Sequence, residues 1–169
     1  MKIAALTALG LVFVLSGQYM ACVLNGRVRM LEKIQLMLAA AENNISFLQS
    51  PSDGIIKSLS ENAELKELKF LEECRAEMGS GTDFPEAWKS SVSKKANTRY
   101  LKDGDRAVLV SFGELFGTTD AAGQISNCRV HSELVRDRLS AARAERGRYA
   151  PLACGMGAVF GIGVIIMLI

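Results

Sequence analysis

The stretch 111–124, SFGELFGTTDAAGQ, has the composition of a loop that grips a phosphate: glycines at 113 and 117, threonines at 118 and 119, and an acid at 120. Such a loop needs four residues between its glycines and then a lysine, which reaches the terminal phosphates. Here Gly117 follows Gly113 too early, Thr118 stands where the lysine is required, and no strand pattern precedes. A turn between two helices accounts for the same residues. Gly117 suits the left-handed conformation that ends a helix. Thr119 or Asp120 can cap the free amides of the next one, and Asp120 favours the positive end of its dipole. The stretch is therefore expected to be a cap.

The second chemical candidate is a thiol beside an imidazole. Cys128 and the only histidine, His131, lie three residues apart on one predicted helix face, the spacing of a possible nucleophile and base. No orienting group or oxyanion hole accompanies them, so His131 is expected to pack or to sit at the surface. The carboxylates Glu61, Glu64, Glu67, Glu72 and Glu73 alternate with lysines, as a solvated helix face does. The four cysteines, Cys22, Cys74, Cys128 and Cys154, include no pair at metal-ligand spacing. The tail GMGAVFGIG has the glycines of a dinucleotide loop but lies in an apolar run behind no strand. No catalytic, metal or cofactor residue is expected, and the chain reads as a non-enzyme.

Charge placement organises the rest. Ile3–Leu24 and Pro151–Ile169 carry no charged side chain, whereas all 18 acids and all but one of the 20 Lys and Arg lie between 25 and 150. At about 1.5 Å per residue each run matches the roughly 30 Å core of a bilayer. The sequence thus predicts a transmembrane helix over 1–25, a helical module over 26–149 and a second transmembrane helix over 150–169. Positive residues flank the module side of both runs, which places the module in the cytoplasm. Arg143, Arg146 and Arg148 are expected at lipid headgroups or on a partner. Gly157 and Gly161, with Gly10 and Gly17 on the first run, offer small faces for membrane-helix packing. An alternative reads Tyr19–Cys22 as a lipoprotein cleavage site, which would anchor an external binding module at Cys22. Near neutrality of the module argues against nucleic acid as a partner.

Within the module, apolar residues at 28, 31, 34, 38, 41, 45 and 48 predict one helix face. Ile55, Ile56 and Leu59 predict a short helix, and Leu65, Leu68, Leu71, Cys74 and Met78 the next. Phe84, Trp88 and Val92 follow Asp83 and Pro85. Ala107–Phe116 is expected to be a central helix. A long helix near 120–148 should bury Ile125, Cys128, Val135, Leu139, Ala142 and Tyr149. Pro151, with Gly147 before it, predicts a hinge at 147–151. The fold class expected is all-α, a bundle of about five to six helices with a transmembrane helix at each end.

The opening stretch also carries a family likeness. Leu115, Gly117, Thr119, Asp120 and Gln124 resemble the L-G-x-T/S-D-x-x-x-Q signature of the stage III sporulation protein AB family, with Phe116 in place of a more usual leucine-like residue. The charged helix RDRLSAARAERGRYAP and the glycine-rich apolar tail extend the resemblance, as do the total length and the uncharged start. The resemblance implies a protein of endospore formers in the mother-cell membrane around the forespore, within a channel complex. It also implies a soluble part similar to the helical domain of type II secretion and type IV pilus platforms. By that analogy the partners would be the sporulation ATPase of the same operon and other membrane components of the channel.

Overall fold

The computed structural model describes residues 2–48 and 52–166, with side-chain surroundings for most positions between 12 and 152. Six α-helices make up the described residues, joined by turns and without a strand: α1 (Lys2–Asn43), α2 (Ser52–Glu61), α3 (Lys69–Gly79), α4 (Phe84–Ser93), α5 (Asp103–Leu115) and α6 (Ala121–Ile166). A π-helical turn, Asn44–Leu48, continues α1, and a 3₁₀ turn, Ala63–Leu65, links α2 to α3. The fold is the all-helical bundle that the apolar periodicity predicts. Its chain contacts divide into two compact units, Met1–Val28 with Ser140–Ile169, and Arg29–Leu139.

In the larger unit α2 packs on α3, α3 on α4 and α4 on α5. The expected stripe is buried at Leu31, Ile34, Leu38 and Ala41 of α1 and at Ile45 of the π-helical turn, joined by Met30 and Met37, while Leu48 lies outside the residues whose side chains are described. At the centre stands Trp88 of α4, fully buried, edge-on to Phe70 of α3 at 5.4 Å between ring centres and tilted against Phe112 of α5 at 5.6 Å. Phe84 and Phe116 complete the cluster, 5.3 Å apart. Edge and tilted contacts set the positive rim of one ring against the negative face of another. Trp88 Nε1 donates to the carbonyl of Leu109 at 2.7 Å, so its polar edge is satisfied inside the core.

That contact explains Gly113. A Cβ there would overlap the indole, lying 2.6 Å from Trp88 Cγ. The glycine in mid-helix costs about 1 kcal/mol of propensity, and in return α4 and α5 approach closely enough for the indole to reach a helix carbonyl. The residue that looked like half of a phosphate loop is the floor of the tryptophan pocket.

The smaller unit holds a segment of α1 and a segment of α6. Leu24, Val28 and Ala142 are buried, and Arg27, 6% exposed, reaches Glu145 at 2.7 Å. Arg27 is one of the positive residues that follow the first uncharged run, and its guanidinium is paired with a carboxylate of α6.

Three expectations are corrected. The helix expected from Leu65 begins at Lys69: Asn62 Oδ1 accepts from the Glu64 amide and closes a 3₁₀ turn that buries Leu65 first. In α5 only Leu109, Phe112 and Gly113 of the apolar run turn fully inward, and Ala107 and Leu115 are exposed. Tyr149 is 47% exposed rather than on the buried face of α6. The positions expected to form a hinge, 147–151, lie within α6, which carries Pro151 inside it. The lost amide is absorbed without ending the helix. Among the described residues no helix is long and apolar enough to cross a membrane. The two expected spans, 1–25 and 150–169, fall largely outside the residues whose side chains are described.

Candidate functional site

The family-signature residues meet at the corner between α5 and α6. Phe116 leaves the helix in an extended conformation, its amide donating to Phe112 O at 3.1 Å and its ring 1% exposed. Gly117 then takes φ +83°, the left-handed conformation in which a Cβ is strained. Thr118 Oγ1 donates to Leu115 O at 3.0 Å, closing the turn from outside.

The next helix starts on Asp120. Its Oδ1 accepts from the Gly123 amide at 2.8 Å, and its backbone carbonyl accepts from the Gln124 amide at 2.9 Å. Gln124 Nε2 donates back to Thr119 O at 3.0 Å. Thr119 lies against Gly123, where a Cβ would stand 2.8 Å from the threonine Cβ. Of the two capping candidates, Asp120 makes the bond. Its carboxylate already occupies an amide that a bound anion would need and adds a negative charge there. Leu115 is 50% exposed, Gly117, Thr119 and Asp120 are exposed too, and Gln124 is half-buried.

A polar cluster lies behind the corner. Asn127 Nδ2 donates to Phe112 O at 3.1 Å, and Asn127 Oδ1 has no hydrogen-bond partner among the described residues. His131 is buried, 5.6 Å from the Phe112 ring centre, with Nδ1 2.9 Å from Asn127 O and Nε2 3.0 Å from Ser111 Oγ. A carbonyl only accepts, so in the neutral ring Nδ1 carries the proton and Nε2 is free to accept from Ser111. Ser111 Oγ also lies 3.0 Å from Val108 O, so one hydroxyl proton is divided between two acceptors. Sequence spacing pointed to Cys128 as the partner of His131. The helix instead turns the imidazole toward Ser111, twenty residues away, a pairing with no local signal.

The thiols are held neutral. Burial pushes Cys128 up to about 12, with the Glu42 carboxylate adding to it. Burial likewise pushes Cys74 up to about 12, with Glu77 adding and a hydrogen bond to Ser91 opposing. A thiol in that state is a poor nucleophile and a poor metal ligand. A shallow cleft of about 470 Å³ between α2 and α3, lined by Ser60, Glu61, Glu72, Arg75 and Ala76, lies on other elements from the corner. Arg75 already bonds Glu61 at 3.0 Å and Ser60 at 3.3 Å there.

The remaining expected residues lie elsewhere. Arg143, Arg146 and Arg148 are exposed on α6 in the smaller unit, and Gly17 is half-buried on α1. Gly10, Gly157 and Gly161 fall outside the residues whose surroundings are described. The family model for stage III sporulation protein AB matches residues 2–169. The chain belongs to that family. Membership implies a role in sporulation, and the corner just described carries the family signature. No curated protein and no solved structure matches the chain.

Replacing Asp120 with alanine is expected to cost about 1 kcal/mol of stability, seen as earlier thermal melting of the full-length chain. An unchanged melting curve would show that the carboxylate is not the cap. For the thiols, the folded chain keeps protons that the unfolded chain sheds near its ordinary thiol pKa. Stability is therefore complete below about pH 9 and declines as pH rises toward 12. Iodoacetamide at pH 8 should modify Cys74 and Cys128 only after denaturant is added. Rapid labelling of either in the native chain would contradict their burial.

Proposed function

We propose that the chain is a non-enzymatic membrane platform of a sporulation channel or secretion-like complex at the mother cell–forespore boundary. Its end segments cross the mother-cell membrane, and its helical module faces the mother-cell cytoplasm, where it docks the secretion-type ATPase of the same operon. The observation that carries this reading is the family match over residues 2–169, joined to the two uncharged runs at the ends.

Details of the smaller unit support the membrane part. Val12, Leu15, Tyr19 and Met20 on α1 and Leu152 on α6 are all about half exposed or more. Ser16 Oγ donates to Val12 O at 2.7 Å, which satisfies a hydroxyl within its own helix where no water is at hand. Tyr19 and Tyr149 are exposed near the inner ends of the two runs, where amphipathic rings favour the headgroup level. Arg146 and Arg148 are exposed beside them and suit anionic lipid headgroups. For the non-enzymatic part, the support is that Cys128 is held neutral and that His131 is spent on core hydrogen bonds.

Protease added to intact sporulating cells should spare residues 25–150, and lysis should expose them to cleavage. Cleavage in intact cells would overturn the orientation. The full-length chain, solubilised in mild detergent, should retain the ATPase from sporulating cells. Its absence from the purified material, with the chain intact, would overturn the docking.

A further inference from the structure

Residues 94–102 join α4 to α5 without forming a helix, yet they are pinned along their length. Asn97 Nδ2 donates to Ser91 O at 3.0 Å and also bonds Glu73. Thr98, fully buried, donates from Oγ1 to Val92 O at 3.1 Å. Arg106 Nη1 donates to Leu101 O at 2.8 Å, and the Lys102 amide donates to Asp105 Oδ2 at 3.1 Å. The buried Leu101 anchors the far end. An irregular segment held this firmly is a displayed loop, the kind of element on which binding residues are presented by a scaffold.

What it displays is positive. From Lys89 to Lys102 the sequence holds five cations and no acid, in a chain that is otherwise almost balanced. The carboxylates brought close by folding are already engaged. Glu73 and Glu77 both take Lys94, the latter at 3.0 Å, which holds Glu73 below the usual carboxylate range. Asp103 takes Arg106. Lys89 and Lys95 form no hydrogen bond or ion pair among the described residues, and both are exposed. Arg99 is exposed, its guanidinium carbon 4.5 Å above the Tyr100 ring and its Nη2 donating to the Tyr100 hydroxyl, two contacts that fix its plane at the surface of the loop.

We propose that the 94–102 loop is a docking surface for an acidic patch of a partner protein, held by Lys95 and Arg99 with Lys89 at the flank. The planar fork of arginine matches a carboxylate, and the lysines supply point charges. A nucleic acid fits less well. It would call for a wide basic face and open aromatic platforms, whereas the Tyr100 ring is covered by Arg99. The surface stands on its own residues and does not depend on the identity of the ATPase.

The test uses the full-length chain in detergent and a fluorescent octaglutamate peptide as probe. The double variant Lys95→Gln/Arg99→Gln, altered only at exposed positions, should melt as the unaltered chain does and bind the probe about tenfold more weakly. Arg146→Gln/Arg148→Gln should bind it unchanged. Equal binding by the loop variant would overturn the proposal. So would a thymidine oligonucleotide binding through the same two residues as tightly as the peptide. In membranes of sporulating cells, zero-length carbodiimide coupling should join Lys95 to an aspartate or glutamate of another protein, and a native complex with no such linkage would also overturn it.

Discussion

The indole of Trp88 against the bare backbone of Gly113 is the contact on which the larger unit turns. It fixes how closely α4 and α5 approach, because any side chain at 113 would meet the ring. It places the indole N–H on the Leu109 carbonyl and leaves the ring's other edges to Phe70, Phe84 and Phe112. Those aromatics come from α3, α4 and α5, so one side chain locks three elements. Phe112 and Phe116, 5.2 Å apart, carry the packing to the end of α5. There the chain leaves the helix, turns at Gly117 and is capped at Asp120.

The fourteen residues 111–124 therefore have a single physical logic, which is the construction of a corner. Gly113 admits the tryptophan, Phe116 plugs the core, Gly117 supplies the turn, Asp120 starts α6, and Gly123 leaves room for Thr119. Thirteen residues of α5 and the start of a forty-six-residue α6 depend on that geometry. The polar cluster of Ser111, Asn127 and His131 braces the same corner from inside. In this protein of the stage III sporulation protein AB family, the signature residues build that corner.

Much of this was legible locally. The three-and-four spacing on α1, the left-handed glycine at 117 and the acid at 120 each announce their role within a few residues. The contacts that settle the core do not. Trp88 and Gly113 stand twenty-five positions apart, and nothing around the glycine names its partner. The same holds for Ser111 and His131, and for Arg27 with Glu145, where a cation suited to the membrane surface is captured by a facing helix. Leu65 and Leu68 keep the helical period, but the Asn62 cap starts a tighter turn, so periodicity alone misplaced the start of α3. The order of the loop at 94–102 comes from side chains that reach back to α3 and α4, which no local pattern marks.

A double-mutant cycle on Trp88 and Gly113 tests the central contact most directly. Urea unfolding of the full-length chain should show Gly113→Ala destabilising by about 1–3 kcal/mol, as overpacking against a fixed ring does. With Trp88 already replaced by alanine, the same glycine change should cost far less or become favourable, since the clash is gone and helix propensity remains. The account predicts a coupling of at least about 1 kcal/mol. Additive costs would show that the glycine serves something other than the tryptophan and would contradict the account.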